Sequence, residues 1–260
     1  MEHRRNCQIL EGVNVMKELL SVFLVFICFG AAIYAQDGLI GYWSFDEDAD
    51  GKLKDLSGSK NDGTIKGKPQ LKQGKSGMAL AFSKPNKDYI EIIDNDTIDI
   101  SEGMTMSAWI NPSEIYIGGD WKERNCIMAK VRAYYLDITE TGNLASYLYN
   151  VQPQEWLVGE TDMKKFAGKW VHVASTYDGK EHNLYINGEL DASVNKSGTI
   201  AVNADNLYIG WVDNNRYFDG LIDEVQLWSK GISAEELKKA LAVNSKGKLA
   251  SCWGRLRILQ

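Results

Sequence analysis

Short stretches in which apolar and polar residues alternate recur along most of the chain, and turn-forming residues separate them. In residues 105–110 (TMSAWI), Met, Ala and Ile occupy every second position, as in a strand whose two faces differ. Residues 170–177 (WVHVASTY) alternate in the same way and lead into Asp178 and Gly179, a dipeptide typical of hairpin turns. Many short strands joined by tight turns predict a β-sandwich or a barrel.

Further strands and one helix complete the predicted elements. The helix begins at Ser233, whose hydroxyl can cap it, and Glu236 stands at the matching capping-box position. Leu237 and Leu241 recur at helical spacing. The chain is therefore predicted to be all-β with one short C-terminal helix. The other predicted strands are residues 39–45, 64–65, 79–82, 89–93, 184–186, 206–211 and 221–228.

Residues 1–35 have the layout of a secretory signal peptide. A charged segment begins at Met16, an apolar run spans 19–33, and small residues precede the expected cleavage after Ala35. The apolar run is short for a membrane span, and a retained membrane anchor is the alternative. Residues 1–15 fit an upstream start codon or a long charged region equally well.

Composition and charge agree with a packed domain and argue against nucleic-acid binding. The chain has 29 Lys and Arg against 35 Asp and Glu, a formal net charge of -6, whereas phosphate binding needs a basic face. A content of 44% hydrophobic and 10% aromatic residues is sufficient for a core. We expect one domain at residues 38–242 and no membrane span after signal cleavage. The tail, residues 243–260, fits an edge strand, a free tail or an interaction segment.

Two cysteines, Cys126 and Cys252, remain once the leader with its own two cysteines is removed. In an oxidising compartment, two thiols can form a disulfide bond. A bridge between Cys126 and Cys252 is therefore predicted, with two unpaired thiols as the alternative, because the sequence does not show how closely their Cα atoms approach.

Several segments in a fixed order resemble a known family. They are GLIGYWSFDED (38–48), DLSGSKNDGTIKG (55–67), GKSGMALAFSKPNKDYIEI (74–92), MTMSAWI (104–110), GKWVHVASTYDGKEHNLYINGEL (168–190) and LYIGWVDNNRYFDGLIDEVQLWSKGISAEEL (207–237). This order resembles the laminin G-like jelly-roll domain of the concanavalin A-like lectin and glucanase superfamily. The resemblance implies a two-sheet antiparallel jelly-roll sandwich, usually secreted, which often binds carbohydrate or adheres to a partner and often carries calcium.

A calcium site is predicted partly from an acidic turn and partly from this resemblance. Residues 46–51 (DEDADG) place carboxylates at alternate positions before a glycine, like the first half of a calcium loop. Position twelve of that loop is Ser57, so it is no EF-hand, and a solvated acidic turn is the alternative. The resemblance implies a structural calcium ion held between the first and last strands. Its implied ligands are Asp46, Asp55, Asn61, Gly63 and Asp223.

Few residues or motifs in the sequence suit catalysis, so we do not expect the chain to be an enzyme. His172 and His182 lie in or beside strands, where packed or edge histidines are the expected interpretation. The chain lacks the nucleophile-elbow, zinc-protease and phosphate-loop motifs. Glycosidases of the superfamily carry a Glu-x-Asp-x-x-Glu strand, which is absent. Asp223 and Glu224 are adjacent and should point to opposite faces of a strand, so they make no facing carboxylate pair.

Aromatic and polar residues near predicted strand ends are the ligand-binding candidates, because sites on a rigid sandwich usually lie in its loops. The candidates are Tyr116, Trp121, Trp156, Asn214 and Tyr217, with Trp211, Asn215 and Arg216 beside them. Four tryptophans inside strands are expected in the core instead. They are Trp43, Trp109, Trp170 and Trp228.

These observations predict a secreted or cell-surface recognition module that is non-catalytic, binds a glycan and holds a structural calcium ion. A cell-surface protein is the alternative partner, which would make the chain an adhesive or structural module. A glycoside hydrolase is the least favoured hypothesis, because the expected carboxylate pair is missing.

Overall fold

The computed structural model describes residues 37–46, 51–115, 118, 122 and 124–239. Eighteen strands make up most of this part of the chain. They are β1 (Leu39–Trp43), β2 (Lys52–Leu53), β3 (Gly63–Lys66), β4 (Gln70–Gln73), β5 (Met78–Phe82), β6 (Tyr89–Ile92), β7 (Met104–Pro112), β8 (Asn125–Lys130), β9 (Tyr134–Ile138), β10 (Asn143–Leu148), β11 (Leu157–Asp162), β12 (Val171–Tyr177), β13 (Glu181–Ile186), β14 (Glu189–Asn195), β15 (Leu207–Ile209), β16 (Trp211–Val212), β17 (Arg216–Tyr217) and β18 (Gly220–Trp228). A 3-10 turn, Met163–Phe166, follows β11, and a short helix, α1, covers residues 234–239.

The strands form two large antiparallel sheets, which confirms the predicted all-β sandwich. Sheet A has the order β14-β13-β12-β7-β18-β5-β4, and β1 also pairs with β18. Sheet B has the order β11-β10-β9-β8-β15-β6-β3-β2. A separate two-stranded hairpin, β16–β17, follows β15. Each sheet combines strands from distant parts of the sequence, which is the Greek-key character of a jelly roll.

The first and last strands lie side by side, as the family resemblance implies. Trp43 in β1 is opposite Val225 in β18, while the preceding part of β18, Gly220 to Ile222, pairs with β5 instead. The change of neighbour coincides with a bulge between Asp223 and Gln226. A bulge turns side chains away from the regular alternation of a strand, so this switch point can gather groups from three strands.

The core lies between the two sheets and follows the two-residue period of the strands. In β9, Leu136 and Ile138 are fully buried against sheet A, while Tyr135 lies on the other face. In β12, Val171 and Val173 point into the core. Because successive side chains of a strand point to opposite faces, the sheet residues that do not enter the core form the outer surfaces.

Helix α1 covers one end of the outer face of sheet A. Ser233 and Glu236 form the predicted capping box, in which Glu236 accepts a hydrogen bond from the Ser233 backbone N–H and Ser233 accepts one from the Glu236 N–H. Leu237 packs against Tyr185 and Trp228. Along the described ranges, no helix combines the length and apolar character that crossing a bilayer requires.

Two features of the fold differ from the prediction. Several strands were not predicted, among them β8 to β11 and β14; β8 and β9 are buried along their whole length, which hides the two-residue period. Of the four tryptophans expected in the core, Trp43 and Trp228 are buried, whereas Trp109 and Trp170 are only partly buried. The prediction was wrong for Trp109 because it lies on the outer face of sheet A, where the Lys75 ammonium stacks over its ring.

A buried polar cluster connects the two sheets. The Nε2 atom of His182 in sheet A lies 3.1 Å from the hydroxyl of Ser146 in sheet B and 3.0 Å from the hydroxyl of Ser175. Burial lowers the pKa of His182 to about 3, and burial also lowers the pKa of His172 to about 3. Both histidines are therefore packed and neutral in the folded protein, as expected.

Acidification should destabilise the domain through these histidines. Unfolded His182 takes up a proton near pH 6.5 and folded His182 only near pH 3, so its stabilising contribution falls as the pH decreases through this window. In urea unfolding, the free energy of unfolding of His182→Gln should decrease between pH 8 and pH 5 by about 2 kcal/mol less than that of the wild type. His172→Gln should reduce the pH dependence of the free energy of unfolding in the same way. An unchanged pH dependence in both variants would show that neither histidine is held neutral by the fold.

Candidate functional site

The outer face of sheet B carries a row of side chains that crosses the strands. Tyr147 in β10 is opposite Tyr135 in β9, Tyr135 is opposite Ala129 in β8, and Ala129 is opposite Tyr208 in β15. Beyond Tyr208 the row continues to Glu91 in β6. Directly opposite side chains on one face lie about 5 Å apart, so the row is a continuous surface with three tyrosines.

One end of the row is a group of four aromatic side chains, here called the Trp156 cluster. Its members are Tyr135, Tyr147, Tyr149 and Trp156. The Trp156 ring centroid lies 5.1 Å from that of Tyr147 and 5.9 Å from that of Tyr135. Tyr135 is almost fully buried, but the other three members are partly exposed. The cluster therefore presents ring surface to solvent on a rigid strand base.

A second group, here called the Trp211 cluster, lies further along the same face. Its members are Tyr89, Tyr208, Trp211 and Tyr217. The Trp211 ring centroid is 4.8 Å from that of Tyr208, 4.9 Å from that of Tyr89 and 6.0 Å from that of Tyr217. Trp211, Tyr208 and Tyr89 are partly exposed, so this cluster also presents aromatic surface to solvent.

The β16–β17 hairpin contacts both clusters and is pinned to the sheet by a buried ion pair. The Arg216 guanidinium reaches Asp137 in β9, with 3.3 Å between Nη1 and Oδ2, and the side chains are only 5% and 0% exposed. Arg216 also bonds Asp213 within the hairpin and lies 5.1 Å from the centre of the Tyr135 ring. Val212 packs on Ala129. The hairpin thus carries Trp211 and Tyr217 while fixed against the Trp156 cluster.

Burial dominates the electrostatics of this ion pair. It raises the pKa of Asp137 to about 6, although the charges of Arg216 and Arg124 favour the carboxylate. For Arg216, burial is the largest single influence and opposes the charged form, but the attraction of Asp137 and the hydrogen bond to Asp213, with the smaller contributions of neighbouring groups, together outweigh it and raise the pKa. Removing one partner would leave the other charge buried without compensation, so the pair constrains the hairpin strongly.

A second arginine supports the Trp156 cluster. Arg124 stacks over the Trp156 ring at 4.1 Å from its centre and pairs with Glu140 at 2.7 Å. A guanidinium over an indole face is a favourable cation–π geometry, and here it orients the ring from one side. The other side of the ring stays available for a ligand, because Trp156 is partly exposed.

Three of the five predicted ligand-binding residues lie in the described part of the chain. Trp156 and Tyr217 belong to the two clusters, and Asn214 is exposed at the tip of the β16–β17 hairpin. Tyr116 and Trp121 lie outside the described residues, so their role stays a prediction. The sequence analysis missed the strand tyrosines of the face. The sequence did contain a signal for them, because these tyrosines alternate with core residues along their strands. They are Tyr89, Tyr135, Tyr147 and Tyr208.

Two of the predicted calcium ligands are occupied by hydrogen bonds within the protein. Both oxygens of the Asp55 carboxylate accept two hydrogen bonds each, from Tyr42, Ser57 and Asn61. Asn61 donates to the Ile40 carbonyl at 2.7 Å, and its side-chain oxygen accepts bonds from two other residues. These side chains fit turn-organising roles and not a metal site.

Gly63 is packed within sheet B, where a Cβ atom would lie 2.6 Å from Ile90. Its calcium role, which the family resemblance implies through a backbone carbonyl, stays a prediction. The resemblance also implied Asp55 and Asn61, whose side-chain oxygens accept the hydrogen bonds described above.

Asp46 and Asp223, in contrast, meet at the turn between β4 and β5. Asp46 accepts a hydrogen bond from the Met78 N–H at 2.9 Å, and Asp223 accepts one from the Ser76 N–H at 3.0 Å. A Cβ atom at Gly77 would lie 2.1 Å from Asp46 Oδ1, and one at Gly74 would lie 2.7 Å from Asp223 Oδ2. Only glycines let this turn approach both carboxylates so closely.

Negative charge is concentrated beside this turn. Burial raises the pKa of the Tyr42 hydroxyl well above its ordinary value, and Glu224, Asp46 and Asp223 raise it further. Asp223 and Glu224 are fully buried, and Glu224, at the bulge of β18, has a φ of 53°. Asp223 and Glu224 therefore both raise the pKa of Tyr42, although adjacent residues of a regular strand would point to opposite faces. The bulge between Asp223 and Gln226 breaks this regular alternation.

Carboxylate oxygens are among the ligands that a hard cation such as calcium takes. Asp46, which is partly exposed, and Asp223, which is buried, are the two predicted ligands that meet at this turn. Among the described side chains, no group of three or more Asp, Glu, His or Cys residues is arranged to hold a metal ion.

Cys126 is fully buried under the β16–β17 hairpin, opposite Asp137. It is a free cysteine in the structure, and burial, then the charge of Asp137, raises the pKa of its thiol well above the ordinary value. Its predicted partner, Cys252, lies outside the described residues. The structure therefore gives the predicted disulfide no support.

Comparison with known proteins identifies the sequence family. Residues 84–238, more than half of the chain, match the Laminin_G_3 family, described as concanavalin A-like lectin/glucanases superfamily. The match covers most of both sheets and both aromatic clusters. No curated protein sequence is significantly similar to the chain.

Solved structures of similar fold include binding domains of two toxins and one domain of an arabinanase. The binding domain of Paraclostridial Mosquitocidal Protein 1 is 17% identical with a TM-score of 0.63, over 78% of this chain and 51% of that one. Domain 4 of AbnA, a GH43 extracellular arabinanase from Geobacillus stearothermophilus, was solved with arabinotriose. It is 22% identical with a TM-score of 0.60, over 78% of this chain and 98% of that one.

The binding domain of botulinum neurotoxin DC, solved with SialylT, is 15% identical with a TM-score of 0.62, over 82% of this chain and 53% of that one. The chain thus spans about half the length of the two toxin binding domains and nearly all of the arabinanase domain. At these identities the similarity shows a shared fold.

Breaking the Arg216–Asp137 pair should loosen the hairpin. Because Arg216→Ala leaves a buried carboxyl group without its cation, we expect a loss of about 3 kcal/mol in urea unfolding and faster hydrogen exchange at residues 211–217. The control is Arg132→Ala, which removes an exposed ion pair with Asp205 and should cost at most about 1 kcal/mol. Equal losses in the two variants would contradict the pinning role of Arg216.

Proposed function

The chain belongs to the Laminin_G_3 family of the concanavalin A-like lectin/glucanase superfamily, and on this basis we propose that it is a recognition module that binds carbohydrate through the outer face of sheet B. The single observation that carries this proposal is the pair of partly exposed aromatic clusters on that face. Flat rings with a few polar groups beside them are the usual lining of sites for small organic ligands, and Tyr and Trp combine apolar faces with polar edges.

The rigidity of the face also favours binding. Three of the aromatic side chains, Tyr135, Tyr147 and Tyr208, project from paired strands, and Trp211 is fixed by the pinned hairpin. Groups that are held in place before binding lose little conformational freedom when a ligand arrives, so more of the contact energy appears as affinity. Two of the structural neighbours were solved in complex with carbohydrates, arabinotriose in one and SialylT in the other.

The proposed role is non-catalytic. Hydrolysis of a glycosidic bond uses two carboxyl groups on either side of that bond. On the aromatic face, Asp137 is buried in an ion pair and Glu91 pairs with Lys66 at 3.0 Å, so both are engaged in structure. We propose further that the module acts outside the cell or at its surface, in keeping with the signal-like residues 1–35, which lie outside the described residues.

We also propose that calcium stabilises the junction of the first and last strands. Asp46 and Asp223 would hold the ion beside the turn at residues 74–77. A bound calcium ion supplies positive charge to buried carboxylates there. This junction is on sheet A, so we assign the ion a structural role that is separate from ligand recognition.

A glycan array probed with the full chain tests the carbohydrate proposal. We expect binding to at least one oligosaccharide class, and Trp156→Ala should weaken that binding at least about tenfold, because aromatic anchors dominate most interfaces. Trp109→Ala removes a partly exposed indole from the other sheet and should leave binding unchanged. A folded protein that retains no glycan would instead favour a protein partner and the adhesive alternative.

Thermal unfolding with and without calcium tests the metal proposal. A ligand that binds only the folded state raises the melting temperature, by about 5 to 10 °C for a domain of this size when calcium is 100-fold above its Kd. Asp223→Asn should abolish this shift. Asp55→Asn should lower the melting temperature by the same amount in calcium and in chelator. A wild type that melts identically in both conditions would exclude the calcium site.

A further inference from the structure

The two aromatic clusters lie in one cross-strand row, and their separation sets the size of a ligand that contacts both. Tyr147 and Tyr208 occupy positions in the same row on β10 and β15. Three strand spacings separate β10 from β15 in sheet B, which corresponds to about 14 Å. The rings of Trp156 and Trp211 contact these two tyrosines, with centroid distances of 5.1 Å and 4.8 Å. A single sugar ring is too short to contact both Tyr147 and Tyr208.

The pinned hairpin adds polar groups beside the aromatic clusters. Asn214 and Asn215 are exposed at the tip of the hairpin, which also contacts the Trp156 cluster through Arg216 and Tyr135. Carboxamide groups offer both donors and acceptors, which suits the hydroxyl groups of a sugar chain. The face thus offers two aromatic surfaces and polar amide groups on the hairpin that adjoins both.

Several cationic side chains of this face are already paired within the protein. Four of them, in or beside the two clusters, pair with carboxylates. The pairs are Lys66–Glu91, Arg124–Glu140, Arg132–Asp205 and Arg216 with Asp137 and Asp213. Five carboxylates pair with these four cations, so an anionic group on a ligand would have to compete with the internal carboxylates for each cation.

We propose that the ligand is an extended, uncharged oligosaccharide whose chain crosses the strands of sheet B and contacts both aromatic clusters at once. This inference rests on the proposed carbohydrate-binding function and adds the length and charge class of the ligand. It assigns Trp156 and Trp211 to two subsites of one site, with the hairpin amides beside them.

Isothermal titration of the full chain with linear oligosaccharides of one to six units tests the proposal. The probes are neutral arabinan, xylan and glucan series and an acidic galacturonan series of the same lengths. For at least one neutral series, affinity should rise with length by at least about tenfold until the chain spans the two clusters. The galacturonan series should bind more weakly than that neutral series at every length.

Single variants test whether the binding site has two subsites or only one. Trp156→Ala and Trp211→Ala should each remove the gain from chain length and leave the wild-type affinity for the shortest bound oligomer within about threefold, because one cluster remains in each. Trp109→Ala is the control for indole removal elsewhere. A length-independent affinity, sensitivity to only one of the two tryptophans, or preference for galacturonan would each overturn this inference. Absence of binding to every series would overturn the proposed function itself.

Discussion

The ion pair between Arg216 and Asp137 is the interaction on which the proposed binding surface depends. It joins a short hairpin, which has only two paired residues on each side, to the centre of a large sheet. Without this anchor the hairpin would have little to hold it, since two-stranded hairpins alone are marginally stable. Asp137 also neutralises the charge of Arg216, so the same interaction that positions Trp211 removes a cation that could attract an anionic ligand. Structure and specificity are therefore coupled in one contact.

Sheets A and B have different tasks. Sheet A contains the junction of the first and last strands, and the bulge in β18 brings Asp46 and Asp223 to one glycine-containing turn. Sheet B presents its aromatic rows outward and its aliphatic rows to the core. This division follows from the two-residue period of strands, which lets one strand contribute to the core and to a surface at the same time. The proposed calcium ion would therefore act on stability and not on recognition.

The sequence predicted those features that local patterns encode. Hairpin turns at Asp178-Gly179, the capping box at Ser233 and the pairing of the first strand with the last are all confirmed. The aromatic row was not predicted, because Tyr147 and Tyr208 become neighbours only through the register of strands distant in sequence. Asp55 was assigned to calcium because its residue type suits a metal, and only the structure shows that its oxygens accept four hydrogen bonds.

The most direct measurement of the central claim is chemical-shift mapping by nuclear magnetic resonance, with aromatic side chains labelled and the preferred oligosaccharide added in steps. The account predicts that the rings of Trp156 and Trp211 shift together with Tyr147 and Tyr208, while the rings of sheet A stay unchanged. Shifts confined to the turn beside Asp46 and Asp223, with the outer face of sheet B unaffected, would contradict it.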